Sequence, residues 1–264
     1  MLIHTYFTDG FFSFGKIFIT SFKKFHGEEM PMIVTTRNLN NNQINEIKNL
    51  YKNIHIFNKD IDMKEVSKKT GVDIKTLEKY KYEIEYKHIN EKGNVIWKQY
   101  ISVEDRYRNS ILEAMKYNQD EKYMMHIDAD SYIRSSLDPI FDIIQENDIS
   151  LIFRLNRFEI NRKILGALMG FKLGEKSDLF MQTWIKYIDK KPLNKKPIGY
   201  GQTSCYLAYS ELENSNIKWG NILKKWVKAD LNENSIIWSG NHTRGKTKTA
   251  KIFQKELEGG IRSA

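Results

Sequence analysis

Two carboxylates one residue apart, Asp128 and Asp130, stand at the end of the run Tyr123-Met124-Met125-His126-Ile127. The run is apolar and β-prone, so it reads as a buried strand that surfaces at the pair. Mg²⁺ and Mn²⁺ are hard cations that prefer carboxylate oxygens and keep coordination positions open for water and phosphate oxygens. Such a pair suits a cation shared with a phosphate-bearing ligand. Spacing alone does not make a site, and the chain supplies its own control. Asp60 and Asp62 have the same spacing but follow Ile54-His55-Ile56-Phe57 in a polar, lysine-flanked stretch, where neighbouring acids are ordinarily solvated surface.

A second group lies near the C-terminus, where Ile236-Ile237-Trp238 runs into Ser239-Gly240-Asn241-His242-Thr243-Arg244-Gly245-Lys246-Thr247-Lys248. Imidazole can join a metal shell, glycine lets backbone approach a ligand closely, and lysine or arginine pairs with phosphate. Read by itself this is a basic loop in a lysine-rich chain. Beside Asp128 and Asp130 it offers the remaining parts of a cation-diphosphate site.

Together the two segments resemble the glycosyltransferases of the GT-A fold, in which a D-x-D at the end of a central strand binds the metal of a nucleotide-sugar. The tail H-x-x-G-x-x-K formed by His242, Gly245 and Lys248 resembles specifically the retaining family 8 enzymes, the glycogenin and lipopolysaccharide galactosyltransferase type. The resemblance implies that Asp128, Asp130 and His242 hold Mn²⁺ or Mg²⁺, with Ala129 between the carboxylates. It also implies that Gly245 and Lys248 meet the diphosphate. Ile3-His4-Thr5-Tyr6-Phe7-Thr8-Asp9-Gly10 is similar to the family's opening strand and nucleotide-binding turn, which puts Thr8 and Asp9 at the donor. Asp9 reads equally well as a turn residue or helix cap. Arg106 and Arg108 stand on a helix-like stretch where these enzymes carry one basic residue facing the nucleotide-sugar, and the sequence does not choose between them.

Two departures limit what the resemblance carries. Family tails continue from the lysine into proline and tryptophan, whereas Thr249 and Ala250 follow Lys248. Relatives carry Asp-Gln near the acceptor site, whereas this chain has Gly201-Gln202. Gln202 is the candidate nearest the reacting sugar, and retention of configuration rests on the tail.

The chain has 264 residues, 41% hydrophobic and 28% charged, with no repeat and no low-complexity segment, which fits one α/β catalytic domain. A single cysteine, Cys205, excludes an intramolecular disulfide and reads as a small buried hydrophobe. The apolar run from Gly10 to Thr20 contains Lys16 and is shorter than the about 20 residues that span a bilayer, so a cytoplasmic location is expected. The net charge of +9 permits polyanion partners. No helix-turn-helix, zinc-finger or RNP-like segment accompanies it, so nucleic acid is not the expected partner. Peripheral attraction to an anionic leaflet carrying lipid-linked acceptors suits the charge better.

The elements that must position these groups alternate. Strands are expected over residues 3–8, 32–36 and 54–57, and helices over 14–24 and 43–51, which makes a βαβαβ unit with its ligand crevice at the carboxyl ends of the strands. The expected fold is therefore α/β, Rossmann-like, with a mostly parallel central sheet flanked by helices. Residues 1–130 form the nucleotide-sugar half, with a charged helical insertion over about 60–95. Residues 131–264 form the acceptor side and the C-terminal metal and diphosphate loop. Further strands are expected over 149–154 and 164–171, where Gly166 and Gly170 make room, then a helix over 175–187 and a loop over 190–201.

The function expected from all this is metal-dependent transfer of a sugar from a nucleotide-diphosphate sugar, UDP-linked on the resemblance, to a saccharide, lipid-linked or protein acceptor. Two other classes remain. Paired aspartates also serve nucleotidyl and phosphoryl transfer, although no glycine-rich phosphate loop is present. A basic polyanion-binding protein without turnover is the other.

Overall fold

The computed structural model describes residues 1–83, 100–117, 120–192, 195–196, 199–228, 234–239 and 246–258. Strand β1 (Leu2–Thr8), helix α1 (Phe12–His26), β2 (Met32–Arg37), α2 (Asn41–Leu50) and β3 (Ile54–Lys59) realise the expected βαβαβ unit. Helix α2 begins on a capping box, in which the Asn40 side chain accepts from the Gln43 backbone and the Gln43 side chain accepts from Asn40. Next come α3 (Met63–Thr70), α4 (Ile74–Glu83), a π-helical segment (Tyr100–Ser110), α5 (Ile111–Tyr117) and β4 (Tyr123–Ile127). The second half holds β5 (Ser131–Ile133), α6 (Asp138–Glu146), β6 (Ile149–Phe153), β7 (Ile164–Lys172), α7 (Glu175–Asp189), α8 (Tyr200–Leu212), β8 (Trp219–Asn221), β9 (Val227–Lys228), β10 (Ile237–Ser239) and α9 (Lys246–Leu257).

Seven strands form the central sheet in the order β3-β2-β1-β4-β7-β6-β8. Only β7 runs against the others, pairing antiparallel with both β4 and β6. The sheet is buried on both faces, and successive strand residues feed opposite layers as the two-residue strand period requires. Ile3 and Met125 pack with Phe18, Phe22 and Ile140 on one side, while Leu2 and Met124 pack with Tyr107, Phe180 and Trp184 on the other. A small second sheet, β5-β10-β9, sits beside the large one.

Strand order reverses at β1, so the crevice outside the carboxyl ends of β1 and β4 is a topological switch point, the place where open α/β sheets bind ligands. Thr8 ends β1, and Asp128 follows β4 directly.

The charged stretch after β3 is less solvated than its composition implies. Helices α3 and α4 bury Val66 and Leu77 completely, so this part of the expected insertion packs by two apolar anchors. Residues 84–95 of it lie outside the described residues. The loop expected over 190–201 is shorter than its glycines imply, because α8 begins at Tyr200. Gly199 takes the left-handed conformation before it, with φ of 81°, which favours glycine.

Candidate active site

Strand β4 is paired on both sides and carries its chain outward to Asp128, whose backbone amide still donates to the Ala167 carbonyl of β7 at 3.0 Å. The chain then turns at once, with Ser131 N donating back to Asp128 O at 3.1 Å. Ala129 is buried in that turn, while Asp128 and Asp130 are half-buried. Two carboxylates are thus held on one tight turn at the edge of the crevice. The control pair does something else: Asp62 caps α3, its Oδ1 accepting from Lys64 N at 2.8 Å and Glu65 N at 3.2 Å.

The two candidate arginines part company. Arg106 Nη2 is ion-paired with Asp128 Oδ1 and donates to the Gly166 carbonyl at 3.0 Å. Arg108 points elsewhere, to Asp189 at 2.7 Å and Glu104 at 3.3 Å, and lines a cleft of about 670 Å³ bounded by Arg37, Phe57, Lys59 and Asp105. Residues two apart on a helix face different directions, and here only Arg106 faces the carboxylates.

Behind Asp128 lies a buried imidazole pair. His126 Nε2 is 3.6 Å from Asp128 Oδ1, its Nδ1 is 3.0 Å from His4 Nδ1, and His4 Nε2 is 3.2 Å from Thr35 Oγ1. Burial and the positive charge of Arg106 hold His4 down to about 3, and burial holds His126 well below its usual value, so both rings are neutral. His126 Nε2 is buried without a hydrogen-bond partner among the described residues, because 3.6 Å is too long for a hydrogen bond to Asp128. Of the two facing Nδ1 atoms, one carries the proton and the other accepts it.

Gln202, in the first turn of α8, faces the same place. With its amide assigned so that the nitrogen, not the oxygen, meets the neighbouring carbonyls, it donates to the Asn161 carbonyl at 2.7 Å and the Ile164 carbonyl at 3.3 Å. The amide also lies 3.6 Å from where a Cβ on Gly166 would stand. Tyr107 fills the gap between them, because a Cβ on Gly166 would meet its hydroxyl at 2.5 Å and one on Gly201 would meet its ring at 2.4 Å. Gly166 therefore links Arg106, which it accepts from, to Gln202, which it leaves room for. Gly170, the other expected space-maker, serves the core by admitting Ile144.

On the donor side, Thr8 is buried at the end of β1, and Asp9 Oδ1 accepts from Gly10 N at 3.0 Å, the local turn bond that its position permits. From the C-terminal tail, β10 pairs antiparallel with β5, placing Ser239 opposite Ser131. Strand β10 thus ends beside the turn that carries Asp130. His242 and Gly245 lie outside the described residues. Lys248 falls in the first turn of α9, which is seated on α1 through Phe253 against Phe14, Tyr132 and Trp238.

Among the described residues, no three His, Cys, Asp or Glu side chains gather as a ready metal-ligand set. The donors that are present, two carboxylates on one turn, are hard oxygen ligands of the kind Mg²⁺ and Mn²⁺ take, and they fit such a cation with ligands still to be supplied. Sequence reading missed His4, His126 and Tyr107. For His126 the signal was available, since residues two apart on a strand share a face and His126 precedes Asp128 by two.

No protein-family model matches the chain, and no curated protein does. Solved structures do. The galactosyltransferase LgtC in complex with donor and acceptor sugar analogues matches over 100% of this chain and 97% of its own, at 12% identity and a TM-score of 0.52. An active-site mutant of LgtC gives a TM-score of 0.54 at 12% identity over the same shares. Apo GlyE, a glycosyltransferase of Streptococcus pneumoniae TIGR4, matches over 99% of this chain and 64% of its own, at 8% identity and a TM-score of 0.54. The fold is therefore the GT-A fold, with its mostly parallel central sheet flanked by helices, and in fold the chain resembles family 8.

Proposed function

We propose that this protein is a metal-dependent glycosyltransferase that moves a sugar from a nucleoside-diphosphate sugar, of the UDP class, to a saccharide, lipid-linked or protein acceptor with retention. The observation that carries the reading is the position of Asp128-Ala129-Asp130: directly after the central strand β4, at the switch point, on a tight turn that leaves both aspartates half-buried. The solved structures alike in fold include a galactosyltransferase holding donor and acceptor analogues, which supports sugar transfer as the chemistry.

In this reading Asp128 and Asp130, with His242 from the tail, would hold Mn²⁺ or Mg²⁺. When bound, the cation would neutralise charge that develops on the departing diphosphate. Lys248 and Gly245 lie on a tail that starts beside the Asp130 turn, so a cationic side chain and a close-approaching backbone would meet the same phosphates. Thr8 ends the neighbouring strand, Asp9 opens the turn after it, and both would take the nucleoside. Arg106, held by Gly166, is the cationic side chain nearest Asp128 and would turn to the donor's phosphate or sugar once the carboxylate has a metal partner. Gln202 faces the same side and would lie by the reacting carbon; an LgtC active-site mutant exchanges a glutamine for glutamate, which fits that role. Residues 1–130 then make the donor half of one domain, and residues 131–264 the acceptor half.

The test is nucleotide release from a panel of UDP-, GDP-, ADP- and CMP-sugars with Mn²⁺ or with EDTA, for the protein and its Asp130→Ala variant. Release from one donor that EDTA and the variant both abolish is the expected result. Release indifferent to both, or no release together with no shift in melting temperature on adding any donor, would overturn the reading.

A further inference from the structure

The connection between β6 and β7 is built rather than loose. Arg154 N donates to the Lys163 carbonyl at 2.7 Å across its base, Arg157 N donates to Arg154 O at 2.9 Å, and a short 3-10 turn over Ile160–Arg162 closes it. This ordered loop presents apolar side chains outward: Phe158 is 98% exposed, Leu155 49% and Ile160 44%. Single exposed hydrophobics are ordinary, but three within six residues around a nearly bare phenylalanine are a patch.

The flanking charge says what covers it. From Arg154 to Lys163 the chain carries Arg154, Arg157, Arg162 and Lys163 against the single acid Glu159, a net charge of +3 by count. Glu159 pairs with Arg162 at 3.4 Å, and Lys163 sits over the Tyr206 ring. Arg154 Nε is buried without a hydrogen-bond partner among the described residues. Burial and the charges of Arg157 and Arg162 push Arg154 below its usual value, so these guanidiniums crowd one another. An apolar tip ringed by under-neutralised arginines matches an interface that is oily beneath and anionic at its surface.

We propose that the loop from Arg154 to Arg162 docks on an anionic lipid leaflet, with Phe158 entering the acyl boundary and the arginines pairing with lipid phosphates. The base of the same loop is the site itself: the Asn161 carbonyl accepts from Gln202, and a Cβ on Gly199 would lie 3.4 Å from Asn161. Phe158 precedes Asn161 by three residues, at most about 10 Å of chain. Docking therefore brings the Gln202 side of the crevice to the membrane surface, where a lipid-linked sugar acceptor would be presented. The acceptor class rests on the function proposed above; the lipid contact does not.

The experiment is sedimentation of the full chain with vesicles of phosphatidylcholine and phosphatidylglycerol, or of phosphatidylcholine alone, over a range of salt. The expected result is binding to the anionic vesicles only, weakened by salt. Phe158→Ser should lower it about tenfold and Arg157→Gln about fivefold, with melting temperatures unchanged because both side chains are exposed. Lys48→Gln, an equal loss of charge on α2 away from the loop, should change it little. No vesicle binding, or equal binding by all three variants, overturns the proposal. So does loss of a dimer in Phe158→Ser by light scattering, which would assign the patch to a second copy. No outcome involves a donor sugar, so failure here is separate from failure of the proposed activity.

Discussion

The Arg106 guanidinium is paired with the Asp128 carboxylate while also donating to the Gly166 carbonyl. The residue proposed to bind a cation thus already has a cationic partner, held in place from a neighbouring strand. Under the proposed function, Arg106 and a metal ion would compete for one carboxylate.

Arg106→Ala should therefore raise the affinity of the nucleotide-free protein for Mn²⁺ about fivefold, the worth of one partly exposed charge pair. It should also weaken donor binding. Titration of Mn²⁺ followed by electron paramagnetic resonance reads the first effect, and unchanged or weaker Mn²⁺ binding would refute the competition.

Gln202 offers a sharp substitution because its amide nitrogen donates to two carbonyl oxygens. Gln202→Glu puts acceptor-only oxygens against them, leaving those groups without a donor. We expect a loss of about 1–3 kcal/mol by urea unfolding at neutral pH, recovered in part at acid pH, where the carboxyl can donate. Equal stability at both pH values would show that the side chain simply swings to water.

Gly166→Ala would set a methyl group 2.5 Å from the Tyr107 hydroxyl and 3.6 Å from the Gln202 amide. The ring must shift, costing about 1–3 kcal/mol, and Arg106 and Gln202 should move with it. Donor turnover should fall at least about tenfold while the circular dichroism spectrum of the fold persists. A fully active variant would show that the gap between strand and α8 has no part in the site.

His4 predicts how stability depends on pH. It faces His126, Arg106 and Thr35, and burial and Arg106 hold it down to about 3 in the folded protein against 6.5 ordinarily. Below pH 6.5 the unfolded chain takes up a proton that the folded chain refuses, so this stabilisation is complete above 6.5 and is lost as pH falls towards 3. Between pH 6.5 and 5 the loss is about 1.6 kcal/mol from His4 alone. Unfolding by urea at the two pH values should show it, and His4→Asn should flatten the slope. A variant with the parent's slope would assign the effect to other groups.

Asp105 anchors a second buried network, accepting from Tyr6 at 2.6 Å and from Arg37 at 2.8 and 3.1 Å. Asp105→Ala would strand the Arg37 guanidinium at 5% exposure, which costs about 3–5 kcal/mol. Thermal melting reads it directly, and a shift of only a degree or two would mean that water reaches the arginine.

The local pattern was enough for much of this. Apolar strands alternating with helical periods gave the βαβαβ order, and an apolar run ending abruptly in Asp128 and Asp130 gave the edge of the crevice, because burial and surfacing are written in consecutive residue types. Asp60 and Asp62 could be set aside by their polar surroundings, and Asp62 is a helix cap. Which of Arg106 and Arg108 faces the carboxylates was not legible, since it depends on how the π-helical segment is rotated against β7, a matter of packing between residues about 60 apart. The same holds for Gln202 against Gly166, for the reversal of β7 among parallel strands, and for the β5–β10 register that starts the tail beside Asp130. Sequence determines what each segment can be; only tertiary packing decides which side chains share a few ångströms, because those contacts join residues far apart along the chain.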